Sequence, residues 1–414
     1  MLRLIAFFLS PVLASADWTQ FRGPNASGIS EEIVPKSWSD SENIAWSVAL
    51  PGPGSSSPIV VGEKLLLTCY TGEGAGILRH LLCFNTSDGA LHWKREIPVW
   101  HPEDPARGFI LEHGWASNTP VTDGAHVFVY AGKAGVHAFD LEGAPLWKAE
   151  TGALSSQKAW GSASSPILQG DLLIVPAGDE TRSVLALQKT DGSLVWEAKG
   201  GPTEQTYGTP VLHVVDEART DILIPVTGEL WGVNPESGKL RWFAEFNLPG
   251  NMSNTPVISE NIVTLSGGFP RTARVAMPLG QKGDISNAIL YDTSSPATYM
   301  TAPVFHDGVL YWISDSGIAF AAEPGEEDPL WEERIPGLNQ GRGKPFYTSP
   351  ICAGGTIYAV SRTNGTFVIT PSREGLNVIA QNKFSSDSSR FHGTPAASDG
   401  TLFLRSDTHL YAVR

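Results

Sequence analysis

The chain has 414 residues, 41% of them hydrophobic, and a formal charge of −14 at pH 7. That acidic balance argues against a nucleic acid or an anionic membrane surface as partner, and solubility explains it. Its 43 Gly and 30 Pro punctuate the whole length, its 3 Cys do not make a disulfide framework, and no run approaches the roughly 20 apolar residues of a membrane helix, so no integral membrane segment is expected.

The N-terminus joins a basic start, Met1-Leu2-Arg3, to a short apolar run from Leu4 to Leu13 and the small-residue end Ala14-Ser15-Ala16. This is the pattern of a signal peptide cut after Ala16. Residues 1–16 are therefore expected to direct export, leaving an extracytoplasmic protein, periplasmic or secreted, whose charge passes from −14 to −15 with the loss of Arg3. No Cys follows the cleavage point, so a lipid anchor is not expected there. Residues 17–42 read as an N-terminal arm.

From residue 43 onward a Ser/Thr/Ala-Pro step followed by an aliphatic residue recurs, with its prolines at Pro58, Pro120, Pro166, Pro210, Pro256, Pro303, Pro350 and Pro395. The spacings are 62, 46, 44, 46, 47, 47 and 45, a period of about 46 that suits four-stranded propeller blades. After each proline comes a short strand, then a turn such as Thr122-Asp123-Gly124, then a β-rich strand such as Val127-Phe128-Val129-Tyr130. A further strand and a Gly-containing turn lead to a closing Trp. Those tryptophans are Trp93, Trp147, Trp196, Trp242 and Trp331, with Tyr291 in the fifth slot and Val378-Ile379 in the seventh; they are expected to pack blade against blade. Cys69 and Cys83 fall on neighbouring strands, where a cross-strand bridge and two buried thiols are both open.

The eighth unit ends at Arg414 with no closing strand, while Ile44-Ala45-Trp46-Ser47-Val48 precedes the first unit as an orphan strand of that type. The two defects cancel if the ends pair. The expected fold is all-β: a single eight-bladed β-propeller of four-stranded antiparallel blades over residues 43–414, its ring closed by an N-terminal strand completing the last blade. A monomer is expected.

The residues ahead of each Pro step lie on loops that return the chain to the axis, and nearly every one offers an aromatic side chain. Trp115, Trp160, Tyr207, Tyr299, Tyr347 and His392 are the candidate residues for a protein or saccharide partner, whose planar or extended face such a ring suits. Packing between blades explains the same residues. The long first spacing holds Trp100-His101-Pro102-Glu103-Asp104-Pro105-Ala106-Arg107, a lid or a plain insertion. His101, His113 and His392 could gather nearby but lack the carboxylate spacing of a metal site. Arg22 and Arg107 are candidate cations for an acidic ligand, although solvation explains exposed arginines equally well.

Gly89-Ala-Leu-His-Trp93, Gly143-Ala-Pro-Leu-Trp147, Gly192-Ser-Leu-Val-Trp196 and Gly238-Lys-Leu-Arg-Trp242 resemble the quinoprotein-type (PQQ-like) repeat. Trp18-Thr-Gln-Phe-Arg-Gly-Pro-Asn25, Gly280-Gln-Lys-Gly-Asp284 and Ser314-Asp-Ser-Gly317 resemble a narrower, BamB-like group of exported PQQ-binding-like propeller proteins found in Planctomycetes and related bacteria. The resemblance implies one of two roles. One is a dehydrogenase of alcohols or sugars holding pyrroloquinoline quinone and calcium on the axis; the other is a scaffold in outer-membrane protein assembly.

A quinone site needs carboxylates for calcium and for a base, and many members add an adjacent Cys pair. Here no cysteines are adjacent and no innermost strand carries a carboxylate; Asp123, Asp307 and Asp399 sit in hairpin turns. No G-x-S-x-G, H-E-x-x-H or P-loop motif is present either. The expectation is a non-catalytic binding or scaffold propeller with no cofactor, no metal and no catalytic residue.

Overall fold

Each Pro step is followed at once by an innermost strand: Ile59–Val61, Val121–Thr122, Ile167–Gln169, Val211–Asp216, Val257–Ser259, Val304–His306, Ile351–Ala353 and Ala396–Ser398. Proline has no amide to give, and the position just outside a ladder needs none. The computed structural model describes residues 17–248, 250–338 and 343–414; the signal-peptide reading falls on residues 1–16, outside them. Each innermost strand heads a sheet whose strands follow one another outward, and eight such antiparallel sheets form the expected eight-bladed ring. Blade 8 is completed by Ile44–Ala49, antiparallel to His409–Val413 with Ile44 opposite Val413 and Ala49 opposite His409.

Two blades carry a fifth, parallel strand: Ile29–Ser30 lies beside Ile351–Ala353 in blade 7, and Gly283–Asp284 beside Leu240–Glu245 in blade 4. The first belongs to the N-terminal arm and the second to the Gly280–Asp284 motif. Cys69 and Cys83 are free buried thiols. Cys83 faces Leu66, three positions from Cys69 on the paired strand, so the alternation of side chains sends the two thiols to opposite faces of the sheet.

The Gly-x-x-x-Trp motif joins neighbouring blades. Gly89 presents its bare Cα to the indole of Trp46, Gly143 to Trp93, Gly192 to Trp147 and Gly238 to Trp196; a Cβ on any of the four would lie 2.5–2.7 Å from ring carbons. The same indoles donate Nε1–H to the next blade, Trp46 to the Thr86 carbonyl (2.8 Å), Trp93 to Leu141 (3.0 Å), Trp147 to Lys189 (2.8 Å) and Trp196 to Pro235 (2.7 Å). Trp331 does so to Ser372 (2.9 Å). Trp242 departs from the pattern: Gly283 pairs beside it, and its Nε1–H turns inward to Asp221 (2.9 Å), a fully buried carboxylate that Arg219 and Arg241 each meet at 2.6 Å.

Around the axis the Ser or Thr before each proline stitches the blades together. The amide of Ser57 donates to the Thr119 hydroxyl (2.9 Å), Thr119 to Ser165 (3.0 Å), Ser165 to Thr209 (3.2 Å) and Thr209 to Thr255 (3.3 Å). Ala302 donates to Ser349 (3.0 Å) and Ser349 to Thr394 (3.2 Å). The belt lacks a hydroxyl at Ala302, and at the closing seam the buried Ser57 hydroxyl has no partner. There Arg405 of blade 8 takes over, its Nη1 reaching the Thr68 carbonyl (2.8 Å) and the Ser56 carbonyl (3.3 Å) of blade 1.

Candidate functional site

The belt surrounds an axial chamber of about 130 Å³, and the N-terminal arm runs across the innermost strands with Phe21 among the lining residues. Trp18 exchanges backbone hydrogen bonds with Val60 of blade 1 (2.9 Å each), the Thr19 carbonyl accepts from Thr122 of blade 2 (3.0 Å), and the Asn25 side chain brackets the backbone of Leu212 in blade 4 (2.8 Å each). Ile29 and Ser30 then pair with blade 7. These partners lie within the innermost strands, away from the Pro steps, and Phe21 projects from the arm into the chamber. Arg22 is not the solvent-facing cation that the sequence suggests. It is fully buried, donates to the Pro303 carbonyl of blade 6 (2.5 Å), and burial lowers its pKa to about 9.

The insertion between blades 1 and 2 reaches the upper end, where Phe109, Glu112 and His113 line the chamber. Its polar part is pinned by Glu103 to Arg79 (2.6 Å) and by Asp104 to Lys133 (2.9 Å), both pairs buried. Trp100 lies against His137 with ring centroids 5.6 Å apart. The chain then enters the short helix Ile110–His113. Just before it, Phe109 sits edge-on to Trp160 (4.6 Å) and Phe269 (5.5 Å), with Tyr299 at 5.8 Å. Glu112 reaches across the mouth to Arg362 of blade 7 and to Arg390 (3.3 Å), just ahead of blade 8.

Five of the six candidate residues, Trp160, Tyr207, Tyr299, Tyr347 and His392, line this chamber. Trp115 does not; it packs edge-on against Tyr70 (5.2 Å), beneath the insertion. His113 and His392 also meet there, whereas His101 lies apart, hydrogen-bonded to Glu150 (2.5 Å). His113 is held between the Ser117 hydroxyl (2.7 Å) and the Trp160 carbonyl (2.9 Å), and burial lowers its pKa to about 4. Burial, helped by the charges of Arg362 and Arg390, drives His392 down to about 2, so both rings are neutral at ordinary pH. Beside Tyr207 the buried Asp179 is pushed up to about 7, by burial and then by its neighbour Glu180.

Phe109, Phe269, Glu112, Arg362 and Lys344 belong to this mouth and were not legible as site residues. Lys344 pairs with Asp315 of the Ser314–Gly317 motif (2.7 Å) and stands over the Tyr299 ring (4.6 Å). The one sequence signal was the length of the first spacing, which marks the insertion but not where its tip lands.

A family model described as outer membrane protein assembly factor BamB matches residues 83–333. The chain belongs to this family. Among solved structures, BamB from Moraxella catarrhalis superposes with a TM-score of 0.62 at 13% identity, over 89% of this chain and 96% of that one. A europium-containing methanol dehydrogenase gives 0.65 at 11%, over 96% and 98%, and quinohemoprotein alcohol dehydrogenase ADHIIG from Pseudomonas putida HK5 gives 0.58 at 11%, over 96% and 80%. At such identities the likeness shows the fold alone. No protein of curated function matches the sequence.

The residues of this BamB-family propeller do not fit the quinone and calcium of the dehydrogenases. Calcium takes six to eight oxygen ligands, usually from several carboxylates, but Glu112 is the one carboxylate among the described lining residues and it is spent on two arginines. Among the described residues no group of three or more His, Cys, Asp or Glu could hold a metal ion. The chamber, about 130 Å³, is also small beside the roughly 300–1,000 Å³ of sites for drug-sized ligands.

Proposed function

We propose that this protein is a non-catalytic, extracytoplasmic scaffold that engages a protein partner through the loop face around the axial mouth. The observation that carries this reading is the lining of the axial chamber, which among the described residues holds one carboxylate, Glu112, already paired with two arginines. A quinone enzyme of this architecture needs converging carboxylates on the axis, and here the chamber is lined by Phe21, Phe109 and further aromatic and hydroxyl-bearing side chains. The loop face, by contrast, offers what a partner needs. Leu111 on the insertion and Leu154 on the loop ahead of blade 3 are 57% and 52% exposed, and Leu111 precedes Glu112, which meets Arg362 and Arg390. Rigid scaffolds carry function on such loops. The family's name, an assembly factor, supports a protein partner over a saccharide. Among the described residues no helix is long and apolar enough to cross a membrane.

Two experiments test this. Purified protein mixed with pyrroloquinoline quinone and Ca²⁺ should reduce no dye with alcohols or aldoses; saturable turnover would sink the reading. Leu111→Ser with Leu154→Ser should abolish partner capture from an extracytoplasmic extract while leaving the melting temperature within a degree or two of wild type. Undiminished capture would move the interface elsewhere.

A further inference from the structure

The insertion tip is anchored on one side by Phe109 among Trp160, Phe269 and Tyr299 and by His113 on the Trp160 carbonyl, and its ion pairing to blades 7 and 8 across the mouth runs through one carboxylate, Glu112. Arg362 Nη2 and Arg390 Nη1 both donate to the same Glu112 oxygen, Oε2. A guanidinium and a carboxylate bind best as two parallel hydrogen bonds, fork to fork. Here Arg362 offers the fork edge made by Nη2 and Nε, but Nε is buried without a partner. The host side is built: Arg362 is 15% exposed at its side chain and lies 4.4 Å over the Tyr347 ring, while Asp407 holds Arg390 Nε at 3.3 Å. The guest side is not, since the Glu112 side chain is 36% exposed and rides on a four-residue helix with no side-chain cap. Next to the arginines His392 is 7% exposed, lines the chamber and has an unpartnered Nε2.

We infer that Arg362 and Arg390 form a carboxylate-binding site that Glu112 fills in the free protein, and that a carboxylate of the protein partner displaces it. A peptide with a free C-terminus or an acidic side chain could take both teeth of the Arg362 fork, which Glu112 does not. Its arrival would free the Glu112 side chain from the two arginines, while Phe109 and His113 keep the insertion seated. The mouth suits an acidic guest: Arg362, Arg390 and Lys344 face Glu112, Asp407 and Asp315, and removing Glu112 leaves the balance positive on a protein of charge −14. This assignment rests on the scaffold reading for the existence of the partner, but its chemistry can be measured without one.

The test is fluorescence polarisation with three labelled tetrapeptides: tetraalanine with a free C-terminus, its C-terminal amide, and an amidated peptide containing one Glu. Glu112→Gln should bind a carboxylate-bearing peptide at least tenfold more tightly than wild type, with Arg362→Gln in the same background erasing the gain and propionate competing for it. Whichever acidic peptide gains identifies the carboxylate as terminal or side-chain; the neutral amide should gain nothing. Glu112→Ala repeats the measurement should the Gln variant misfold. Unchanged affinity in both Glu112 variants, an equal gain for the neutral amide, or tight binding that survives Arg362→Gln overturns the site, even if the partner is captured on the loop face. Failure of wild-type protein to capture any partner overturns the scaffold reading instead.

Discussion

Gly192 and Trp147 show in one contact why the Gly-x-x-x-Trp motif repeats. The glycine sits at φ +75° and its missing Cβ leaves room for the preceding blade's indole, which a methyl group would meet at 2.5 Å. Gly192→Ala therefore combines a left-handed conformation with overpacking, about 1–2 and 1–3 kcal/mol respectively, and should lower unfolding stability by about 2 kcal/mol or more in urea titrations. Asp179 gives a pH signature. Its folded pKa of about 7 exceeds the ordinary 3.8, so between those values the folded state keeps a proton that the unfolded state has lost. Stability from this group falls as pH rises through that window, by up to about 1.4 kcal/mol per pH unit. Asp179→Asn, which keeps an oxygen for the Gln205 amide (2.9 Å), should be more stable than wild type at pH 8 and lose that advantage at pH 4; equal denaturation midpoints at both pH values would refute the assignment. The motif glycines and tryptophans were legible as repeats, because strand periodicity and turn chemistry are local. Asp179 was not, because burial under a neighbouring loop leaves no mark in the sequence.

At the scale of elements, the hydroxyl belt makes the Ser/Thr of each Pro step a structural joint as well as a turn residue. Ala302 interrupts it: at this Pro step a methyl group stands where the other seven carry a hydroxyl that can accept from the preceding step's amide. Ala302→Ser supplies that acceptor in a site 1% exposed, and a net hydrogen bond is worth about 0.5–1.5 kcal/mol. The variant should be stabilised by that amount, measured as a raised denaturation midpoint at unchanged slope; a lower midpoint would mean that the inner ring has no room for the oxygen. The long spacing before blade 2 was readable as an insertion, lid or otherwise. Its span across the mouth to Arg362 and Arg390 was not, since 250 and 278 residues of chain separate the ion-pair partners.

For the whole molecule, the arm is as much a part of the ring as any blade. Trp18 is 1% exposed although it precedes the first repeat, and the arm hydrogen-bonds or pairs with blades 1, 2, 4, 6 and 7. Trp18→Ala should cost about 3–5 kcal/mol in a single cooperative unfolding transition; a loss under 1 kcal/mol would show the arm to be an appendage. The sequence by itself determined the number of blades, the start of each and the terminal closure, because each is written in residues a few positions apart; the expectation of innermost strands without carboxylates fails in blade 4, whose strand extends to Asp216. Only the tertiary structure decided what fills the axis. The convergence of Phe21, Phe109, five of the six candidate residues and the Glu112–arginine contact comes from loops of distant blades brought together by the ring, and no spacing along the chain encodes it.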